Sequence, residues 1–236
     1  MMYGPGLALV HDLGFGFHGD RCAPGILRLL EPIRGGLVLE LGCGSGSLTR
    51  HLLAAGHRVL ATDASPAMVR RARAVLPAGA RVECLTLPDD PLPAADAVVG
   101  VGNVLNYLGG MTAAEKALAA IAAALRPGGV VALDPVDVRW GQDADHLAPL
   151  ARVRPDWAIV STSTLPEPDR LIREMTTFVR RDDGAWRRED ERHEIALLDT
   201  ERLAAVLTGH GVAAAVRPAF GAERMRPGMV ALIGSR

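Results

Sequence analysis

Residues 37–49, LVLELGCGSGSLT, pass from an apolar run through an acid and a glycine-rich turn into the start of a helix. Leu37, Val38, Leu39 and Leu41 predict a short strand of the kind that lies in a parallel sheet covered on both faces. Gly42, Gly44 and Gly46 follow at alternate positions. They let the backbone turn sharply and approach a ligand without Cβ interference, and the helix beginning near Ser45 aims its free N–H groups at that ligand. Nucleotide binding is the predicted task. A dinucleotide fingerprint needs G-x-G-x-x-G and a P-loop needs G-x-x-x-x-G-K-[ST]. The turn lacks the third dinucleotide glycine and any lysine, which disfavours both.

With Glu40 ahead of Gly42, Gly44 and Gly46, the stretch resembles motif I of class I S-adenosylmethionine (SAM) dependent methyltransferases, E/D-x-G-x-G-x-G. The resemblance implies an α/β fold: a doubly wound, seven-stranded, Rossmann-like sheet with an antiparallel β insert over the active site. It implies one domain over residues 1–236, with an N-terminal lid at 1–34 and a substrate-roof insert at 135–198. SAM is then the cofactor, its methionine part facing the glycine turn. A second strand, His57 to Thr62, ends at Asp63, about twenty residues past the turn, where an acid accepts hydrogen bonds from both ribose hydroxyls. Asp63 alone does not separate SAM from NAD. Ser65-Pro66 supplies a helix N-cap and first-turn proline. The third strand, Arg81 to Leu87, places Thr86 where the family has an aspartate for the adenine amino group. Backbone near Leu87, or Asp89 or Asp90 just downstream, is the alternative adenine partner. By the same resemblance Cys43, Ala64, Met68, Gly102, Asn103 and Tyr3 complete the cofactor set.

The fourth strand, Asp96 to Val101, leads into Gly102-Asn103-Val104-Leu105-Asn106-Tyr107, beyond the strand C-termini where doubly wound sheets hold their ligands. Asn106-Tyr107 is similar to an "NY" pair in one group of small-molecule methyltransferases. In that resemblance Asn106 orients an acceptor and Tyr107 lines the transfer site, with simple packing of Tyr107 the alternative. The signature of amino methyltransferases acting on nucleic acid bases needs two prolines that are missing, and no Pro-Cys nucleophile occurs. His193, in RREDERHEI, matches a histidine common in the same group, as a general base or an acceptor-binding donor. Surface exposure among charges is its bland alternative. His18 is a further candidate for the proton, and Arg173 and Trp140 are candidate acceptor contacts, Arg173 through a carboxylate.

The rest of the chain fits around these motifs. Residues 1–20 resemble the mobile "YD" arm of small bacterial methyltransferases, with His11-Asp12 in place of Tyr-Asp. Tyr3, Phe15, Phe17 and His18 would wall the sulfonium with aromatic faces. The first helix signal is Ala23-Pro24, with proline in the first turn. Thr112 to Glu115 reads as a capping box and Arg126-Pro127-Gly128-Gly129 as a family landmark before a strand at Val130 to Asp134. Residues 135–198 break the strand–helix alternation. Trp157 to Thr164, Arg170 to Arg181 and Ala185 to Leu197 read as extended, with a hairpin at Asp182-Asp183-Gly184. A helix over Asp199 to Leu207 and strands at Val212 to Val216 and Met229 to Ile233 follow.

Composition excludes several classes. The chain has 236 residues, a net charge of −1 and three cysteines. That length allows a large core, and the charge argues against a nucleic-acid surface. Cys22, Cys43 and Cys84 fit neither a disulfide framework nor zinc spacing, so no metal and a reducing cytoplasm are expected. No apolar run predicts a membrane span. The implied chemistry is displacement at a sulfonium methyl carbon by a small-molecule acceptor through N, O or C, with natural-product tailoring as the setting. Two alternatives share the same motifs: cyclisation of SAM itself with release of methylthioadenosine, as in azetidine-2-carboxylate formation, and SAM binding without catalysis. A nicotinamide dehydrogenase is disfavoured by the glycine spacing.

Overall fold

Val38 and Leu39 leave the first strand in opposite directions and are both fully buried, so the sheet that contains them is covered on two faces. The computed structural model describes residues 3–142 and 147–236. The strands β1 (Leu37–Leu41), β2 (Arg58–Asp63), β3 (Arg81–Cys84), β4 (Ala95–Gly100) and β5 (Leu125–Leu133) run parallel. With β10 (Ala213–Arg217) and β11 (Ala231–Ser235) they form a seven-stranded sheet in the order β10-β11-β5-β4-β1-β2-β3. β11 is antiparallel to β5 and β10 to β11. The strand order reverses beside β1, so the crevice opens beyond the ends of β1 and β4, at the glycine turn.

Each face has its own core. Leu39, Val98 and Val131 pack with Leu118 and Ile121 of α5 (Met111–Ala124) and Leu203 and Leu207 of α6 (Thr200–Gly209). Val38, Val99 and Ala132 pack with Ile26 of α2 (Phe17–Leu29), Leu48 and Leu52 of α3 (Ser47–Ala54) and Val69 of α4 (Pro66–Val75). Neighbouring residues of one strand thus feed different layers. Ser65 caps α4 as expected, its Oγ accepting from Met68 N at 3.2 Å, and Asp199 caps α6 through Arg202 N at 3.0 Å.

The insert is a separate antiparallel sheet, β6 (Leu150–Val153), β7 (Trp157–Glu167), β8 (Arg170–Arg180) and β9 (Trp186–Ala196). Its β8–β9 hairpin turns through Asp182-Asp183-Gly184, with Gly184 at φ +84°. Along β9, Glu189, Glu191, His193 and Ile195 point inward while Arg188, Asp190, Arg192 and Glu194 are exposed.

Several local expectations are corrected. The N-terminal arm is helical: α1 (Pro5–Phe15) and α2 begin well ahead of the first helix signal expected at Ala23-Pro24. Proline starts α1 at Pro5, where its missing N–H costs nothing, while Pro24 lies inside α2. The Thr112–Glu115 capping box does not form; α5 starts from Gly110 without a side-chain cap. Glu115 instead pairs with Arg202 of α6. The Arg126-Pro127-Gly128-Gly129 segment lies within β5, at a register shift against β4. The inner face of the insert packs on α1: Leu7 and Val10 meet Trp157, Ile159 and Met175. No helix among the described residues is long and apolar enough to cross a membrane.

Candidate active site

The turn after β1 needs its glycines. Gly42 lies at φ +64°, and a Cβ there would stand 2.5 Å from Val104 Cγ2. Gly46, at φ +91°, is the N-cap of α3. Beside the turn is a cavity of about 340 Å³. Glu40, Gly42, Cys43 and Gly44 line one side of it, and Asp63, Ala64 and Met68 the next. Thr86 and Leu87, then Gly102 and Tyr107, then Tyr3 and His18 close it. Gly46 and Asn103 stand behind this wall, shaping the turns that carry it.

Asp63 is oriented by two backbone donors: Gly44 N–H to Oδ2 at 2.9 Å and Ser65 N–H to Oδ1 at 2.8 Å. Burial raises its pKa, and the two N–H bonds oppose that shift. Each oxygen keeps a lone pair for a hydroxyl donor. Glu40 is fully enclosed and accepts from Thr49 Oγ at 2.7 Å, tying β1 to α3. Burial pushes its carboxyl up to about 8. Asp90 accepts the Thr86 N–H at 2.7 Å, and neither Asp89 nor Asp90 lines the cavity. This end of the cavity is therefore bounded by the Leu85–Leu87 segment rather than by those acids.

Asp134, one residue beyond β5, organises the opposite wall and has no counterpart in the local motifs. It accepts from Gly102 N–H at 2.8 Å, Asn103 N–H at 2.8 Å and His18 Nε2 at 2.7 Å. His18 thereby clasps α2 to the ends of β4 and β5, and its Nε2 is engaged. Cys22 Sγ lies 3.7 Å from that nitrogen. These three residues form a buried group with ligand-capable atoms within 4.8 Å, which the spacing of cysteines and histidines did not reveal. Asp134 already serves three donors there, and burial, then the charge of Asp134, pushes the Cys22 thiol up to about 12.

Beneath the insert the rings of Tyr3, Tyr107 and His193 converge. Tyr3 and His193 centroids are 5.1 Å apart, Tyr107 and His193 5.7 Å, and the two tyrosine hydroxyls 3.4 Å. His193 is 1% exposed, so the surface alternative fails. It lies behind the tyrosines rather than in the cavity wall. Its Nε2 meets Glu191 Oε2 at 2.9 Å, and its buried Nδ1 has no partner. Glu191 also receives the N-terminal arm, Tyr3 N–H at 2.8 Å and Gly4 N–H at 2.9 Å, while Glu189 takes Gly6 N–H at 2.6 Å. Ser65 Oγ donates to Tyr3 O at 2.7 Å. The arm therefore bridges the start of α4 and the insert.

Asn106 is reassigned. It is fully buried and outside the cavity wall. Its amide donates to Val136 O and Ala196 O at 2.9 and 2.6 Å and accepts from Val136 N at 2.9 Å. Both amide hydrogens and one Oδ1 lone pair stitch the insert to the main sheet, away from the cavity wall. Trp140 packs with Tyr107, Leu171 and Ile195, also outside the wall. Arg173 is half-buried opposite His193 in the β8–β9 pairing and its charge reaches Tyr3. Phe15 lines the cavity, whereas Phe17 is exposed.

Fold and site together define a class: a doubly wound, seven-stranded α/β sheet whose glycine turn and buried Asp63 face one cavity. A methyltransferase domain model matches residues 39–131. A SAM-dependent methyltransferase from Clostridium acetobutylicum is 16% identical, with TM-score 0.78 over 97% of this chain and 96% of that one. The sugar N-methyltransferase KedS8 from Streptoalloteichus sp. is 23% identical, with TM-score 0.78 over 100% and 96%. CalS10, an amino pentose methyltransferase from Micromonospora echinaspora, is 22% identical, with TM-score 0.72 over 100% and 98%. No curated protein sequence matches significantly. Residues 39–131 thus match a methyltransferase domain, and the whole chain shares the fold of SAM-dependent methyltransferases, whose cofactor is SAM. The residues present fit that cofactor: left-handed glycines allow close approach, Asp63 keeps free lone pairs, and the cavity is of ligand size.

Proposed function

We propose that the protein methylates a small-molecule acceptor, with an amine nitrogen as the foremost target and oxygen or carbon as the other acceptor atoms, in natural-product tailoring. The observation that carries this reading is the junction of the cofactor cavity with the Tyr3, Tyr107 and His193 cluster. When bound, SAM supplies an electrophilic methyl carbon on a sulfonium. The protein's own work is then to align the acceptor, exclude water and accept a proton. Asp63 holds the ribose hydroxyls and the glycine turn takes the amino-acid end. Tyr3 and Phe15 close the cavity against solvent, and their rings with Tyr107 favour a positive centre.

His193 is the proposed proton acceptor. Its Nε2–H donates to Glu191, which leaves Nδ1 as a bare acceptor nitrogen beside the two tyrosines. Tyr107 faces the cavity and packs edge-on against His193, so an acceptor lying on Tyr107 is one ring away from that nitrogen. His18 has a positioning role instead, because Asp134 engages its Nε2. The sugar N-methyltransferase KedS8 and the amino pentose methyltransferase CalS10 share this fold, which supports trying amino sugars first. Methyl-labelled SAM offered with amino sugars, other amines and phenols should label one class of acceptor. Replacing His193 by Gln should lower kcat by about a hundredfold, the usual order for a general base, with S-adenosylhomocysteine binding unchanged. An unaltered kcat would remove His193 from the chemistry.

A further inference from the structure

His18 and Cys22 stand one helical turn apart in α2, so both side chains leave one face of the helix, and Cys22 Sγ lies 3.7 Å from His18 Nε2. Asp134 meets the same nitrogen from the end of β5, its Oδ2 at 2.7 Å. Among the described residues these are the one group of three whose ligand-capable atoms all lie within 4.8 Å of one another, and all three are buried. Methyl transfer gives the Cys22 sulfur no task.

Each member is held from behind. Asp134 Oδ1 accepts the Asn103 N–H and Oδ2 the Gly102 N–H, both at 2.8 Å, which fixes the carboxylate and leaves its bond to His18 exchangeable. The start of α2 is pinned as well: Ser47 Oγ donates to Gly16 O at 2.8 Å, and a Cβ on Gly19 would stand 2.7 Å from that same oxygen. Ligands aimed by such outer contacts are what a metal centre requires.

Tetrahedral zinc, with bonds of about 2.3 Å to sulfur and about 2.0–2.2 Å to nitrogen and oxygen, separates its ligand atoms by roughly 3.5 Å. The Cys22–His18 edge already has nearly that length, and the His18–Asp134 edge reaches it by opening about 0.8 Å. Charge fits too. One carboxylate and one thiolate cancel a divalent cation, so the buried centre carries no net charge. Without a metal, burial and the Asp134 charge push the Cys22 thiol up to about 12, but a thiol that coordinates a cation gives up its proton. A sulfur, nitrogen and oxygen set selects zinc over magnesium or calcium, which take oxygen ligands.

We propose that His18, Cys22 and Asp134 are the protein ligands of a zinc ion that clasps α2 to the ends of β4 and β5. Bonds from zinc to Sγ, Nε2 and Oδ2 replace the His18–Asp134 hydrogen bond. The thiol proton leaves to solvent, and the His18 proton passes from Nε2 to Nδ1. His18 also lines the cavity, so the fourth position opens on that side, to water. The site stands whether or not an acceptor is methylated.

The test is a titration of the metal-free protein with Co2+, a coloured stand-in for zinc. Wild type should bind one equivalent with a sulfur-to-cobalt charge-transfer band, and one equivalent of Zn2+ should bleach it. Cys22→Ala should abolish the band, and His18→Gln should weaken Co2+ by about tenfold or more. The chain has three cysteines, so the double variant Cys43→Ala/Cys84→Ala leaves Cys22 as the sole thiol and should keep the band. That variant decides alone if Cys22→Ala fails to fold. Zn2+ should also raise the wild-type melting temperature, and a chelator should reverse the rise. No band in wild type, a band that survives Cys22→Ala, a band lost in the double variant, or a melting temperature indifferent to Zn2+ would each overturn the proposal.

Discussion

Glu40 and Asp63 are the two acids that bracket the glycine turn, and the structure gives them different work. Asp63 is aimed by Gly44 and Ser65 with lone pairs to spare, whereas Glu40 is sealed under Thr49. Burial raises the Glu40 carboxyl to about 8, above its unfolded value, so the stability it contributes is whole below about pH 4.5 and is lost as pH rises through about 8. Glu40→Gln keeps an acceptor for Thr49 and never ionises. The variant and wild type should melt alike near pH 5, and the variant several degrees higher near pH 9; parallel melting curves at both pH values would refute the buried neutral acid. Asp63 was legible because strand, acid and turn are close in sequence. Asp134 was not, since its partner His18 lies 116 residues away and only the closed sheet brings them together. Asn106 misled for a related reason: the pair Asn106-Tyr107 is local, but the amide's partners Val136 and Ala196 come from the two ends of the insert.

The N-terminal helices and the insert act as one layer. Glu189 and Glu191 of β9 receive the first N–H groups of the arm and α1, where carboxylates are favoured by both unpaired donors and the helix dipole. On the far side Arg71 binds Asp12 and Arg152 binds Gly14 O at 2.6 Å. Glu191 differs from Glu189 in touching His193 as well. Glu191→Gln should therefore speed amide hydrogen exchange at Tyr3 and Gly4 and also move the His193 Nε2 resonance read by NMR. Glu189→Gln should speed exchange at Gly6 alone. Identical His193 Nε2 resonances in wild type and Glu191→Gln would reduce Glu191 to a clasp for the arm. The strands of the insert were visible from their alternation and the Asp182-Asp183-Gly184 turn. Which face of β9 points inward was not, because RREDERHEI is charged on both faces and a one-residue shift exchanges them. The helical arm was missed because Gly4, Gly6, Gly14 and Gly16 read as loop, while packing on Trp157 and Met175 holds α1 in place.

At the scale of the molecule, a sheet with two buried faces fixes the glycine turn, Asp63 and Asp134 at the ends of adjacent strands. The insert and arm then cover the crevice with aromatic side chains. That division explains what could be read beforehand: the half around the glycine turn is built from short, local strand–turn–helix units, and the half beneath the insert from contacts between distant segments. It also sets the decisive measurement for the proposed function, because the same glycine-turn half would serve an enzyme that consumes SAM itself. The purified protein should be incubated with SAM, first alone and then with a panel of amines and phenols, and the nucleoside product identified by mass spectrometry. S-adenosylhomocysteine formed only in the presence of an acceptor is the predicted result. Methylthioadenosine accumulating without an acceptor, above the spontaneous rate, would contradict methyl transfer.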